Sequence, residues 1–304
     1  MPTVLIAGGT GLIGKRLTTL LKAKGHKVIL LSRTPDLQAD PPEYAWDTKK
    51  MHIAPEAVKQ ADYVINLAGA GIADQRWTDS RKQVIIESRV KTAQLLWEGF
   101  RQMNKQPKAY ISASAIGYYG DRGDELLKET SAPGPEGFLP ESCIAWEGAV
   151  QPFVESDIRT VIIRIGIVMS TQGGALAKML PSYYVRTGAY FGDGQQYYSW
   201  IHIDDLCGIF IKAIEDEKMK GTYNGVAPNP LRNKQLAKDI ATALDKPSLI
   251  VPAPTFGLRL AMGEMADVVL DGSKVSSEKI ESTGFQFQFP DFIPAIRDLK
   301  KRGI

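Results

Sequence analysis

The 304-residue sequence contains few cysteines and few histidines. Its two cysteines, Cys143 and Cys207, lie far apart with no CxxC spacing, and its three histidines, His26, His52 and His202, have no metal-ligand spacing. This composition argues against a disulfide framework or a structural metal, and it is typical of a protein from a reducing compartment. We therefore expect no metal and a cytoplasmic location.

The sequence also lacks a strong net charge and a long apolar run. A formal net charge of +3 over 304 residues creates no field that would attract nucleic acid. No apolar run approaches the roughly 20 residues that span a bilayer. The first apolar stretch, TVLIAGGTG, has no basic flank or cleavage site of a signal peptide. We expect a soluble protein that binds a small-molecule substrate, with no nucleic-acid or membrane partner.

Short apolar runs alternate with segments of helical periodicity in the first half of the chain. The runs at 3–9, 27–32, 61–69, 109–114 and 157–170 predict buried strands, the last with Arg164 inside it. Residues 84–100 predict a long helix. Strands alternating with helices indicate an α/β, Rossmann-type, doubly wound parallel sheet.

The alternation changes at Gly173, where glycine and proline break the chain into short pieces without a clean linker. We expect a smaller C-terminal substrate lobe built from several excursions from the sheet. The dinucleotide-binding domain would comprise residues 1–170 and about 200–227, and the substrate-side lobe about 171–199 and 228–304.

A glycine-rich loop, G-x-x-G-x-x-G, follows the first predicted strand and opens a helix. Its glycines are Gly8, Gly11 and Gly14. Glycines in this context let the backbone turn tightly and approach a pyrophosphate, while the helix N-terminus supplies free N–H groups and a positive dipole. The loop predicts a dinucleotide site.

The end of the second predicted strand indicates which dinucleotide is bound. An NAD site usually carries an acidic residue there for the ribose 2′-hydroxyl, but this chain has Ser32 and Arg33. Arginine forms charge-assisted hydrogen bonds with a 2′-phosphate, whereas an acid would repel it. The sequence predicts NADP(H) as the cofactor.

Several motifs together resemble the extended and atypical short-chain dehydrogenase/reductases. These motifs are GGTGLIG, SRTP, VINLAGAGI, SASAIGYYG, RIGIVMSTQGGAL, YYSWIHIDDL and GTYNGVAPNP. More closely, the chain resembles the epimerase-like branch of that superfamily, and the resemblance runs end to end. Its tail, from VPAPTFG onward, resembles the C-terminal module of unknown function found in that branch.

The resemblance implies roles for residues that match the superfamily's motifs. Ser114, at the end of a predicted strand, matches the serine that binds substrate. The segment 66–69 matches the one that passes the adenine side and the cofactor ribose. The full cofactor set is Gly8, Thr10, Gly11, Leu12, Ile13, Ser32, Arg33, Asn66, Leu67, Ala68 and Gly69.

The superfamily's catalytic Tyr-x-x-x-Lys pair is missing. Cys143 stands where the resemblance places the tyrosine, and Glu147 stands where it places the lysine. A thiol has an ordinary pKa of about 8.5, and a neighbouring carboxylate would raise it. Glu147 could itself act as an acid, and Tyr118 and Tyr119 are alternative proton donors close to Ser114.

Three interpretations of this replacement stay open. The chain could be an oxidoreductase on a small carbonyl or alcohol with a non-standard proton donor. It could instead bind or sense NADP(H) with little turnover, with Cys143 and Glu147 structural. A redox-reactive Cys143 is the third. A nucleotide-sugar epimerase ranks below a simple reductase because it also needs the missing pair. Whether the chain is an enzyme is therefore left open.

Candidate substrate residues lie on three segments. Gly173 and Gly174 precede a predicted helix, and Arg76 and Trp77 follow the strand that ends near Asn66. His202 could act as a general base, although a structural histidine is more common. We expect the nearby Asp205 to cap the following helix.

The oligomeric state follows only from the resemblance. Relatives often dimerise through the helices that here would span residues 84–100 and 141–153. We expect a monomer or a homodimer.

Overall fold

The computed structural model describes residues 1–303. Its strands are β1 (Thr3–Ala7), β2 (Lys27–Ser32), β3 (Glu43–Asp47), β4 (His52–Ile53), β5 (Tyr63–Asn66), β6 (Ala109–Ala115), β7 (Leu126–Leu127), β8 (Thr160–Ile165), β9 (Ile167–Met169), β10 (Thr187–Phe191), β11 (Tyr197–Tyr198), β12 (Trp200–His202), β13 (Gly221–Gly225), β14 (Leu231–Arg232), β15 (Leu249–Ala253) and β16 (Lys274–Val275).

The helices lie between these strands. They are α1 (Leu12–Ala23), α2 (Pro55–Gln60), α3 (Asp79–Gln102), α4 (Phe138–Gly148), α5 (Gln151–Glu155), α6 (Gly174–Tyr184), α7 (Ile203–Glu215), α8 (Asn233–Ala243), α9 (Thr255–Met262), α10 (Asp267–Leu270), α11 (Glu278–Ser282) and α12 (Phe292–Lys301), with 3₁₀ turns at Ile116–Tyr119 and Gly263–Ala266. None of the helices within residues 1–303 is long and apolar enough to cross a membrane.

Eight strands form the main sheet in the order β13-β8-β6-β5-β1-β2-β3-β4. Neighbouring strands are parallel except for β3 and β4 at one edge. The order reverses between β1, β2 and β5, which is where doubly wound sheets form a ligand crevice at the carboxyl ends of their strands. The Rossmann-type fold class is confirmed.

Both faces of the sheet are buried, which explains why its strands are continuous apolar runs. Val4 and Ile6 of β1 face a core shared with Leu17 and Leu21 of α1 and with α7. Leu5 and Ala7 alternate to the other face and pack with α2, α3 and α5. Because Val4 and Ile6 share their core with Leu17 and Leu21, α1 packs on one face of the sheet. The glycine loop therefore lies between the end of β1 and the start of α1.

The predicted strand at 157–170 is wrong in one respect, because it is two strands separated at Gly166. The Gly166 N–H donates to Gly225 O at 3.0 Å, and a Cβ at Gly166 would lie 2.3 Å from Ser199 O. Only β8 belongs to the main sheet. β9 turns away and pairs with β12.

Long-range pairings build the C-terminal part of the chain. β10 pairs in parallel with β15, β11 pairs with β14, and β7 pairs with β16. Residues 200–227 return to the main sheet through α7 and β13. The α12 helix buries one apolar face, formed by Phe292, Ala295, Ile296 and Leu299.

Candidate functional site

The glycine loop has the geometry of an anion cradle. Gly8 has φ +82°, a conformation that favours glycine, and its carbonyl accepts the Gly11 N–H at 3.1 Å. A Cβ at Gly14 would lie 2.4 Å from Gly8 O, so the helix starts tightly against the loop. No side chain caps α1, and its first turn holds no acidic residue. Its N-terminal amides and dipole therefore suit a pyrophosphate.

The loop meets the end of β5. A Cβ at Gly8 would lie 2.9 Å from Ala68 N. Asn66 is fully buried, donates to Tyr110 Oη at 3.0 Å and accepts the Ala68 N–H at 3.2 Å. Its side chain therefore shapes the turn over residues 67–69. The backbone of that turn lies against the glycine loop at Gly8.

The end of β2 leaves an arginine available. The Ser32 hydroxyl closes a local turn, donating to Thr34 O at 3.0 Å and accepting the Thr34 N–H at 3.2 Å. Arg33 is exposed and forms no salt bridge within the described residues. Its guanidinium is free to meet a ligand.

The predicted substrate glycines lie over the start of α1. A Cβ at Gly173 or at Gly174 would come within 3.5 Å of the Leu12 side chain, and Gly174 has φ +75°. The two glycines thus border the segment at Leu12 that we assigned to the cofactor. Thr10 and Ile13 lie in the same loop and helix start, Thr10 exposed and Ile13 half-buried.

Glu147, which stands where the resemblance places the lysine of the missing acid/base pair, forms a buried ion pair with Arg164 of β8. Arg164 donates to both carboxylate oxygens of Glu147 at 2.8 Å, and Ser114 Oγ donates to Glu147 Oε1 at 2.7 Å. The exposed fractions of the Arg164 and Glu147 side chains are 4% and 13%. The charge of Arg164 in β8 is therefore neutralised by the Glu147 carboxylate of α4. Ser114 donates a hydrogen bond to the same carboxylate.

The two neighbouring tyrosines have opposite environments. Tyr119 is fully buried; its hydroxyl donates to Asn224 Oδ1 at 2.7 Å and accepts from Arg164 Nη1 at 3.0 Å. Burial raises the pKa of Tyr119. Tyr118 is half-buried, and the Arg164 guanidinium lies 3.4 Å from its ring centroid. Among residues 1–303 the Tyr118 hydroxyl makes no hydrogen bond, and it is not enclosed.

Cys143 is buried in α4 and has an elevated pKa. Its side chain packs near Gly117, where a Cβ would lie 3.7 Å from Sγ. Burial raises the pKa of Cys143 to about 11, and the Glu147 charge acts in the same direction. The thiol is therefore protonated at neutral pH.

The loop after β5 contacts the C-terminal segment. Arg76 is exposed and donates to Leu260 O at 3.4 Å. Trp77 is buried, donates to Ile72 O at 2.9 Å and packs edge-on against Phe138. The structure thus holds Trp77 within its own loop and places Arg76 opposite α9.

His202 caps α7, so the expectation that Asp205 does so is wrong. His202 Nδ1 accepts the Asp204 N–H at 3.1 Å. Asp205 instead accepts the Gln288 and Phe289 N–H groups at 2.8 and 3.0 Å, tying the C-terminal segment to α7. The His202 ring is fully buried and its Nε2 lies 3.3 Å from Asp298 Oδ2. These contacts are those of a structural histidine.

Sequence reasoning missed the network that links the site to β13. Asn224 contacts Tyr119 and donates its Nδ2 to Ser276 O at 3.1 Å, and its N–H donates to Glu129 Oε1 at 2.8 Å. The one available signal was Arg164, because a charge in a buried strand requires a partner. The contacts of Asn224 join residues that are 52 to 105 positions apart in sequence, which is too far for the pattern to predict them.

Two family profiles match the chain. Residues 4–224 match the NAD dependent epimerase/dehydratase family, and residues 253–299 match a domain of unknown function, DUF1731. The second match runs from the last residue of β15 into α12, within the segment whose sequence resembles the C-terminal module.

Similar proteins match the chain along almost its whole length. An epimerase family protein of Staphylococcus aureus is 37% identical over 301 residues, covering 99% of this chain and 100% of the relative. The chloroplastic SDR39U1 homolog of Arabidopsis thaliana, also named an epimerase family protein, is 35% identical, covering 97% and 86%. The crystal structure of human epimerase family protein SDR39U1 with NADPH has a TM-score of 0.88 and 31% identity, covering 98% and 99%.

A more distant enzyme shares only the fold. UDP-N-acetylglucosamine 4-epimerase from Bacillus cereus has a TM-score of 0.81 at 18% identity, covering 99% of both chains.

Proposed function

We propose that this chain, which belongs to the NAD dependent epimerase/dehydratase family of NAD(P)-binding proteins, is an NADP(H)-dependent oxidoreductase acting on a small carbonyl or alcohol. The observation that carries the proposal is the uncapped start of α1 against the glycine loop, with Arg33 free at the end of β2. The loop suits a pyrophosphate and Arg33 suits a 2′-phosphate. The human relative SDR39U1 was crystallised with NADPH.

The proton donor in this proposal is Tyr118. A bound NADPH would supply hydride to a carbonyl carbon. The Tyr118 phenol would give its proton to the carbonyl oxygen and would regain a proton from water. Tyr118 has an accessible, unbonded hydroxyl among the described residues. The Arg164 guanidinium, 3.4 Å from the ring centroid, favours negative charge developing on that ring. Ser114 would turn its hydroxyl proton from Glu147 Oε1 to the substrate oxygen, and Glu147 would keep Arg164 in place.

Cys143 and Tyr119 are not proton donors in this proposal. The Cys143 thiol is buried and protonated, and both hydrogen-bonding functions of the Tyr119 hydroxyl are occupied. We assign both to support of the site and not to proton transfer. A sugar epimerase remains a lower-ranking candidate, because it would need one acid/base system for both hydride removal and return.

A second candidate function is NADP(H) binding with little turnover. The observation that favours it is the Glu147–Arg164 ion pair, which neutralises the charge of the residue that stands at the lysine position of the missing pair. In that case the chain would report the NADP(H) level through binding alone.

Comparison of the neighbouring tyrosines tests the proposal. NADPH oxidation would be followed with a panel of small aldehydes, ketones and oxo acids for the wild type, Tyr118→Phe and Tyr119→Phe. General-acid catalysis contributes about 10² to 10⁴ in rate, so we expect Tyr118→Phe to lower kcat by at least roughly a hundredfold with unchanged NADPH affinity. Tyr119→Phe should mainly lower thermal stability, because it removes buried hydrogen bonds.

The controls separate the candidate functions. Ser112→Ala, on the same strand as Ser114 and equally buried, should leave kcat unchanged, whereas Ser114→Ala should lower it. A Tyr118→Phe protein with full activity would remove Tyr118 as the donor. A wild type that binds NADPH but reduces no member of the panel would favour the binding function.

We also propose that the chain is a monomer or a homodimer, the homodimer being formed through α3 and α4. Val84 and Ile144, on these helices, are 48% and 46% exposed, and the two helices pack against each other.

A further inference from the structure

A buried segment of the C-terminal module runs between other parts of the chain. Residues 273–277, which we call the serine segment, lie within the range that matches DUF1731. Four of its five residues are at most 8% exposed: Ser273, Val275, Ser276 and Ser277. Its strand β16 pairs in parallel with β7, and the Ser276 N–H donates to Leu127 O at 2.9 Å. The module is therefore interleaved with the rest of the molecule at this segment.

The Ser273 side chain holds the turn that carries Tyr118. Its Oγ donates to Gly120 O at 2.7 Å, two residues after Tyr118. Gly120 has φ +62°, a conformation that favours glycine, and its N–H donates to Gly117 O at 3.2 Å. Gly120 is thus where the 3₁₀ turn Ile116–Tyr119 ends. The Ser273 hydroxyl fixes that end of the turn.

Two further contacts join the serine segment to the same turn. Val275 packs in a small buried cluster with Tyr119, and the Tyr118 side chain packs against this cluster. Ser276 O accepts Asn224 Nδ2 at 3.1 Å, and Asn224 Oδ1 accepts the Tyr119 hydroxyl at 2.7 Å. The position of Tyr118 therefore depends on the C-terminal module as well as on its own neighbours in sequence.

The serine segment is itself fixed by the residues that precede β12. Ser199 is fully buried; its hydroxyl donates to Ser273 O at 2.6 Å and accepts the Val275 N–H at 3.0 Å. The Ser273 N–H donates to Tyr197 O at 3.1 Å. Because both backbone polar groups of Ser273 are bonded, its hydroxyl is held toward Gly120. Loss of that hydroxyl would remove a donor from a buried carbonyl, which is costly.

We infer that Ser273 is a positioning residue for the proposed proton donor. By holding Gly120 it keeps the Tyr118 ring against the Arg164 guanidinium, which lies 3.4 Å from the ring centroid. The inference rests on the proposed function in one respect, since it takes Tyr118 as the donor. It gives the C-terminal module a part in proton transfer, because the module sets the geometry of a side chain that it does not itself supply.

Kinetics of two serine variants test the inference. Ser277 is similarly buried in the same segment, but its hydroxyl donates to Glu281 of α11, so Ser277→Ala is a matched control. We expect Ser273→Ala to lower kcat for NADPH oxidation about tenfold, because small errors in the placement of a reacting group slow the reaction. KM and NADPH affinity should stay unchanged. Ser277→Ala should lower thermal stability alone.

A double variant separates positioning from a general structural effect. In a Tyr118→Phe background, Ser273→Ala should lower kcat no further, since it acts through Tyr118 and the two effects are then not additive. A residue that supports the fold alone would lower thermal stability in both backgrounds and would not show this dependence on Tyr118.

Fluorine NMR follows Tyr118 without turnover. The full chain would be labelled with 3-fluorotyrosine, and the Tyr118 resonance would be assigned by its loss in Tyr118→Phe. We expect that resonance to shift in Ser273→Ala and to keep its wild-type position in Ser277→Ala. Ser273→Cys replaces the hydroxyl with a weak thiol donor and should shift the resonance in the same direction, so the test holds if Ser273→Ala fails to fold.

The remaining outcomes overturn the inference. A folded Ser273→Ala protein with wild-type kcat and an unmoved Tyr118 resonance would do so and would leave the proposed function intact. An equal loss of kcat in Ser277→Ala, or a further loss in the Tyr118→Phe background, would also contradict it. If the wild type reduces no member of the panel, the proposed oxidoreductase fails, and the fluorine spectrum still decides whether Ser273 positions Tyr118.

Discussion

At the scale of single residues, the chemistry of the site depends on how each polar side chain is buried. Glu147 and Arg164 neutralise each other, and Tyr119 has both its hydrogen-bonding functions occupied. Tyr118 keeps a hydroxyl that faces solvent. Residue type alone does not separate these groups, since Tyr118 and Tyr119 are adjacent and identical.

The protonation state of Cys143 gives a direct prediction. Because thiolate is the reactive form and burial raises the pKa of Cys143 to about 11, we expect no reaction of the native protein with Ellman's reagent at pH 7.5. Cys207 is also buried, with a raised pKa. Both thiols should react after unfolding in guanidinium chloride.

The variant Cys207→Ala isolates Cys143 in the same assay. One thiol should appear, and only on unfolding. Rapid modification of Cys143 in the folded Cys207→Ala protein would instead support a redox-reactive cysteine.

At the scale of secondary-structure elements, α7 depends on an unusual cap. Its first turn is capped by a neutral histidine side chain, with Asp204 bound on the other side by Arg16 and Arg302. Arg16, the fifth residue of α1, therefore has a protein carboxylate as its partner. This arrangement ties together α1, α7 and the end of α12.

The cap makes stability depend on pH. Burial lowers the pKa of His202 from 6.5 to about 4, and Arg302 adds to this lowering while Asp204 and Asp298 oppose it. A lowered folded-state pKa gives stability that is complete above pH 6.5 and is lost as pH falls toward 4. We expect the free energy of unfolding to fall by about 3 kcal/mol across that window.

Urea unfolding at several pH values measures this loss. His202→Gln should be less stable at pH 7.5 and should show a shallower pH dependence between pH 6.5 and 4. His52→Gln changes an exposed histidine and should keep the wild-type slope. Equal slopes for His202→Gln and wild type would show that another group controls the transition.

Sequence patterns predicted the helices and strands whose structure depends on local periodicity. The apolar run of β1 and the glycines after it could be assigned because each signal lies within about ten residues. The break at Gly166 could not, since it depends on contacts with Ser199 and Gly225. The cap by His202 was also missed, because Asp205 is the commoner capping residue type.

At the scale of the whole molecule, the sheet could be predicted and the C-terminal part could not. Parallel strands separated by helices follow a small set of topologies. In contrast, β10 pairs with β15 across some 60 residues, and β7, β11, β14 and β16 have only two residues each. Strands this short carry no periodic signal. The contact between Tyr119 and Asn224 likewise joins two segments that the sequence does not connect.

The central claim is that the glycine loop and Arg33 together bind NADP(H). Calorimetric titration of the folded protein with NADPH and with NADH tests it most directly, using wild type, Arg33→Asp and, as a control for net charge, Arg101→Asp on the exposed end of α3. A charge-assisted hydrogen bond is worth about 1.5–3 kcal/mol, equivalent to roughly 10- to 150-fold in affinity.

We expect the wild type to prefer NADPH, Arg33→Asp to lose that preference with little change in NADH affinity, and Arg101→Asp to behave as wild type. Equal affinity of the wild type for both dinucleotides, or an unchanged NADPH affinity in Arg33→Asp, would contradict the assignment of Arg33. Failure of both dinucleotides to bind would contradict the cofactor site as a whole.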